Sequence, residues 1–231
     1  RYNPENGTVT FTTTHFSNYA VAYVHKTFTD LGSSPWAKKA IEVMASKGII
    51  SGKGNDIFSP TENITRADYL MLLIKTLGLT ADFEDNFDDV ERNAYYYEAV
   101  GIAKKLNIAA GSCNNMFNPN ENISRQDMIV LTARALKKFK DLDASGALTV
   151  LDKFSDKGDI FEYALESMTE MVGEGLIEGS GGRVYPRDNT ARAEAAVFLY
   201  RIYNRINKYR CKNRIYFRPH KKMRPKVFMA L

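Results

Sequence analysis

From Trp36 to Lys47 the apolar residues fall at positions 37, 40, 41, 44 and 45, the spacing of a helix with one buried face. Gly48 follows as a helix-ending residue, and a short loop marked by Gly52 and Pro60 leads to a second stripe. There Tyr69, Leu70, Leu72, Leu73 and Ile74 crowd one side of a helix predicted from Arg66 to about Leu77. Residues 1–27 are patterned differently. Tyr2–Gly7 carries turn chemistry, Thr8–Thr12 has a period of two, and Tyr19–Val24 is a second β-rich run. Two strands do not make a stable unit alone, so this segment is expected to be the last hairpin of an upstream module.

The helix–loop–helix pattern recurs. The first copy runs Phe28-Thr29-Asp30, Trp36, Gly48-Ile49-Ile50-Ser51-Gly52, Phe58-Ser59-Pro60, Arg66. The second runs Phe87-Asp88-Asp89, Tyr95, Asn107-Ile108-Ala109-Ala110-Gly111, Phe117-Asn118-Pro119, Arg125. The third runs Phe154-Ser155-Asp156, Tyr163, Gly175-Leu176-Ile177-Glu178-Gly179, Val184-Tyr185-Pro186, Arg192. Aspartate and arginine stand 36 residues apart in every copy, although the third gains a residue before Tyr163 and loses one before Pro186. The chain therefore divides into a β segment (1–27), repeats over 28–86, 87–153 (with a linker) and 154–207, and a basic tail (208–231).

Thr65 and Ser124 are N-cap hydroxyls with an acid three residues on, and Arg66 and Arg125 then occupy the first helical position. A cation there opposes the helix dipole, so its recurrence points to a task beyond the helix. Free N–H groups and a guanidinium fork make a receptor for carboxylate or phosphate. The competing explanation is an ion pair with the acid 36 residues upstream. On the first view, replacing Arg66 or Arg125 weakens binding and leaves unfolding nearly unchanged.

With 231 residues and 44% hydrophobic content the chain can build a proper core. Its net charge of +5 misleads, because residues 208–231 hold nine Lys and Arg and no acid, leaving 23 basic against 27 acidic residues in the body. The body thus lacks the electrostatic footprint of a nucleic-acid binder. No run approaches a membrane span. Residues 1–25 have no apolar core behind a basic start, so no signal peptide is expected, and the start at Arg1 suggests a fragment. Cys113 and Cys211 show no metal or redox spacing, and His15, His25 and His220 have no ligand partner at a useful spacing, so neither metal nor cofactor is expected. The string Asp141–Asp152 has EF-hand-like spacing but ends on Asp rather than Glu, and reads better as a solvated acidic linker.

These motifs in this order resemble a triple S-layer homology (SLH) domain, the module that attaches bacterial surface proteins to the cell wall, from about Phe28 to Arg205. The resemblance implies a mostly α fold, three helix–loop–helix repeats closed into a pseudo-threefold bundle with binding grooves between neighbours. It implies an extracellular location at the cell wall or S-layer, and binding of an anionic secondary cell-wall polysaccharide whose pyruvate ketal carboxylate is held by the motif arginine. Peptidoglycan is a further candidate partner; nucleic acid and membrane insertion are not expected.

Carried over position by position, Arg66, Arg125 and Arg192 are the carboxylate contacts, and Trp36, Tyr95 and Tyr163 match the aromatic beside the groove, where core packing is the alternative. Asp30, Asp89 and Asp156 could orient the arginine or take a sugar hydroxyl, and Gly52, Gly111 and Gly179 would let a ligand approach the backbone. The second copy departs with Gln126-Asp127 and Asn107, and the third with Thr190-Ala191, the least regular helix start. No repeated nucleophile and base occur, so the segment is read as an anchor, not an enzyme. A linear helical array that binds a partner protein is the alternative, disfavoured because the first repeat is the most regular.

Overall fold

The computed structural model describes residues 24–138 and 147–213, together with Tyr2–Asn3 and Thr8–Val9. β1 (Tyr2–Asn3) pairs antiparallel with β2 (Thr8–Val9), Tyr2 opposite Val9. Thr8–Val9 thus pairs back towards the N-terminus, with Tyr2–Asn3, which the sequence pattern places in a turn. Of the expected second run, Val24 is not in a strand, and the rest lies outside the described residues.

Six helices follow: α1 (Lys38–Ser46), α2 (Arg66–Leu77), α3 (Tyr97–Lys105), α4 (Arg125–Lys137), α5 (Glu162–Gly173) and α6 (Arg192–Asn213). The first helix of each repeat ends alike. Gly48, Asn107 and Gly175 adopt positive φ (69°, 55° and 67°), and the next N–H reaches back to Met44, Ala103 or Met171. This left-handed cap suits Gly and also Asn, which explains the departure at Asn107. α6 runs on through Asn213, so the expected tail boundary at 208 falls inside a helix. Nothing between Arg205 and Asn213 is Gly or Pro, and Lys and Arg propagate a helix well. Residues 214–231 lie outside the described residues, as do 141–146 of the EF-hand-like string, whose Asp152 accepts a bond from Lys157 at 2.7 Å.

The repeats close on themselves. Ile64 N–H donates to the Thr190 carbonyl (2.9 Å), Thr190 N–H to Ile123 (3.0 Å), and Ile123 N–H to Ile64 (3.0 Å). This triangle satisfies the backbone of three buried residues, one per repeat. Around it α1 packs on α6, α3 on α2 and α5 on α4, so each first helix rests on the second helix of the preceding repeat. A linear array would not join the first repeat to the third.

Leu70, Leu73, Met128, Leu131 and Leu199 are buried, as the apolar stripes require, while Val197 is half-buried because it lines a groove. Three residues past each helix-start arginine the core breaks the symmetry: Tyr69, Met128 and Ala195 share one register, all fully buried, and trade volume among large, medium and small.

Candidate functional site

Asp30, Asp89 and Asp156 turn away from their own arginines. Asp30 accepts the N–H groups of Phe58 (3.0 Å) and Ser59 (2.6 Å), and Asp89 those of Phe117 (2.8 Å) and Asn118 (2.6 Å). Asp156 accepts those of Val184 (2.9 Å) and Tyr185 (2.7 Å). Ser59, Asn118 and Tyr185 have φ of 59°, 57° and 51°, a conformation costing about 1–2 kcal/mol for a residue with a Cβ. The carboxylates offset that cost and fix the loop. Burial acts to raise Asp30 and Asp156, but the N–H donors outweigh it and hold both below the ordinary 3.8. The loop glycines serve the same architecture: a Cβ on Gly52 would lie 2.6 Å from both the Ile57 carbonyl and the Phe28 ring, and one on Gly179 2.4 Å from the Arg183 carbonyl. Gly111 is crowded likewise by Phe87. None of these six residues needs a ligand to explain it.

The helix starts differ from expectation too. Arg66 N–H donates to Glu121 and Ala67 N–H to Pro119; Arg125 and Gln126 donate to Asp188 and Pro186; Arg192 and Ala193 donate to Glu62 and Pro60. Asp68 and Asp127 N–H are capped by Thr65 and Ser124 hydroxyls, and at the third start Glu194 accepts from Ala191 N–H at 2.9 Å instead. The N–H groups expected to receive an anion are therefore taken by the neighbouring repeat. The guanidinium and what faces it remain.

Each arginine reaches into the next repeat. Arg192 Nε donates to the Phe58 carbonyl (3.0 Å) and its Nη2 to Ser51 (3.1 Å), with the guanidinium 4.8 Å from the Phe58 ring centre. Arg66 does the same with Phe117, at 3.1 Å and 5.2 Å, and lies 3.6 Å from Asp127. Arg125 meets Glu194 at 3.2 Å, but Val184 replaces the phenylalanine, and its buried Nε has no partner among the described residues. Arg192, from the least regular helix start, is thus among the best-held of the three.

The aromatics are not core. Trp36, Tyr95 and Tyr163 are 59%, 68% and 52% exposed. The Tyr95 hydroxyl donates to Asp68 at 2.7 Å and that of Tyr163 to Asp127 at 2.8 Å. Partial burial, then these bonds, push both phenols well above their ordinary value, so they remain neutral donors. The first groove, about 230 Å³, is lined by Arg192, Asp68, Tyr95 and Gly52. The third, about 320 Å³, is lined by Arg125, Glu194, Trp36 and Gly179. Between them, Arg66, Asp127 and Tyr163 make the second. Every groove takes its arginine from one repeat, its loop and acid from the next, and its aromatic from the third.

The S-layer homology domain family matches residues 27–70, 86–129 and 153–196, more than half of the chain. The chain belongs to the S-layer homology (SLH) domain family. It is 33% identical over 205 residues to an amylopullulanase of Thermoanaerobacterium thermosulfurigenes, covering 87% of this chain and 11% of the relative. It is 28% identical to an S-layer protein of Bacillus licheniformis and 27% identical to S-layer protein EA1 of Bacillus anthracis, each over 78% of this chain and 20% of the relative. The chain thus spans a small part of the curated relatives it matches. SLH domains are non-catalytic anchoring modules, and membership associates this one with the cell wall. Among the described residues no helix is long and apolar enough to cross a membrane.

Within the SLH repeats, sequence reading missed Asp68, Asp127 and Glu194 as groove residues, seeing only the acid of a capping box. Their three-residue spacing from the cap was the available signal. Their partners, Tyr95, Tyr163 and Arg125, come from other repeats.

Proposed function

We propose that the three inter-repeat grooves anchor the parent protein non-covalently by binding an anionic secondary cell-wall polysaccharide, the arginine holding the carboxylate of a pyruvate ketal. The observation that carries this reading is the convergence, at each groove, of a guanidinium and an exposed aromatic ring from different repeats. A sugar presents C–H faces to the ring, and the fork pairs with a carboxylate in two parallel bonds. The first groove is more cationic than the third, because Lys75, and Lys53 with its partner Glu62, join Arg192 there against Asp68, whereas in the third Arg125 and Arg201 are matched by Glu194 and Glu178. Three linked sites gain avidity that suits an anchor.

Co-sedimentation with bacillus wall sacculi, before and after acid removal of the polysaccharide, tests it. The chain should pellet with intact sacculi and stay soluble with stripped ones. Removing a charge-assisted bidentate contact costs about 1.5–3 kcal/mol, so Arg192→Ala should weaken binding roughly 10- to 100-fold. Equal pelleting with stripped sacculi would transfer the assignment to peptidoglycan. Unchanged binding by an Arg66, Arg125 and Arg192 triple alanine variant that still folds would remove the grooves from it.

A further inference from the structure

Phe161 is an exposed aromatic where a polar residue would serve the fold better. It is the N-cap of α5, where Ser, Thr or Asp would accept a helix N–H; instead its side chain caps nothing and is 46% exposed. Its position is nonetheless fixed. The buried Gln126 amide oxygen accepts Phe161 N–H at 3.1 Å, and the Arg187 guanidinium lies 4.4 Å from the ring centre. Arg187 Nε donates to the Asp159 carbonyl at 2.8 Å, while its two Nη atoms meet no partner among the described residues. Phe161 and Tyr163 have ring centres 6.0 Å apart and planes only 30° apart, so together they form a short apolar strip leading out of the second groove.

This arrangement exists once. The residues two before the other groove aromatics are Ser34 and Asn93, and those at the register of Arg187 are Thr61 and Asn120. It also accounts for two irregularities of the third repeat and its neighbour. The residue gained between Asp156 and Tyr163 makes room for Phe161, and Gln126, where the other repeats have Ala67 and Ala193, supplies the acceptor that holds it.

We infer that Phe161, Tyr163 and Arg187 extend the second groove into a subsite for the next sugar ring of the polysaccharide, with a C–H face on the strip and an anionic substituent on the Arg187 fork. An exposed ring already packed on a cation, on a backbone tied to a buried amide, loses less side-chain entropy when a ligand covers it than a free one would. The inference rests on the groove reading above, and the test separates the two.

The probe is polysaccharide released by acid from Bacillus licheniformis sacculi and fractionated into pieces of one and of several repeating units. Titrations use the full chain with Arg125→Ala and Arg192→Ala, which leaves the second groove alone. Adding Phe161→Ala or Arg187→Ser should weaken binding of the long fragment 5- to 10-fold, leaving the short fragment's affinity unchanged and the variant still folded by circular dichroism at the titration temperature; adding Arg66→Ala should abolish both. If Phe161→Ala and Arg187→Ser bind the long fragment as their parent does, the subsite is wrong and the groove stands. If Arg66→Ala binds both fragments normally, the groove reading itself fails. In the chain without those background changes, the Phe161 ring resonances should shift with the long fragment only; a shift with neither overturns the subsite even if the multiple variants unfold.

Discussion

The Tyr69 hydroxyl donates to the Thr132 hydroxyl at 2.5 Å, and Thr132 in turn donates to the Met128 carbonyl at 2.8 Å. This relay is buried and ties the second helices of the first and second repeats at one point. Tyr69→Phe removes one buried bond and should cost about 1 kcal/mol, lowering the melting temperature by about 2–4 °C. Thr132→Val strands the phenol without a partner and should cost more, about 1–3 kcal/mol, with part recovered in the double variant. Urea unfolding of the three variants checks the order.

The loop aspartates set a pH dependence. Asp30 and Asp156 have folded pKa values below the ordinary 3.8, so the unfolded chain takes their protons first as pH falls. Their contribution is complete above about pH 4 and is lost progressively below it. Asp30→Asn should flatten the acid limb of stability against pH and cost about 1.5–3 kcal/mol at neutral pH, read by urea titration at pH 7 and pH 3.

Arginine removal is not free for the fold, contrary to what a cation at a helix start suggests. Arg66→Ala loses one bond to a loop carbonyl and a ring contact, and Arg192→Ala two such bonds and a ring contact, and each should cost about 1–2 kcal/mol. Arg125→Ala loses a half-exposed ion pair alone and should cost under about 1 kcal/mol. Chemical denaturation of the single variants would show this ranking, and a reversed order would contradict the contacts described.

Two glycines should respond oppositely. Gly48 has open space around its Cα, so Gly48→Asn, copying Asn107, should leave stability within about 0.5 kcal/mol. Gly179→Ala places a methyl against the Arg183 carbonyl and the Phe154 ring at φ 74°, and should cost about 2 kcal/mol or more. Thermal unfolding distinguishes them.

Local features were legible in the sequence. The span of α2, its Thr65 cap, the Gly48 stop and the recurrence of the unit all follow from spacing within one copy. The grooves did not, because Arg192, Asp68 and Tyr95 are brought together by packing between repeats that no local pattern encodes. The same gap misplaced Asp30: its distance of 36 residues from Arg66 is regular, yet its carboxylate is satisfied 28 residues away, at Phe58. The helix-start N–H groups looked available for an anion only because their acceptors, Glu121, Asp188 and Glu62, belong to the neighbouring copy.

Since each groove draws on all three repeats, a chain with one copy holds no complete groove, and one with two copies still lacks a wall of each. A single copy could build the same receptor only as a homotrimer, with three identical grooves. Fusing the copies into one chain makes assembly independent of concentration and frees each groove to diverge. The Trp36 wall beside Glu194, Val184 where the other repeats have Phe58 and Phe117, and Phe161 beside Tyr163 are differences that a symmetric trimer could not carry.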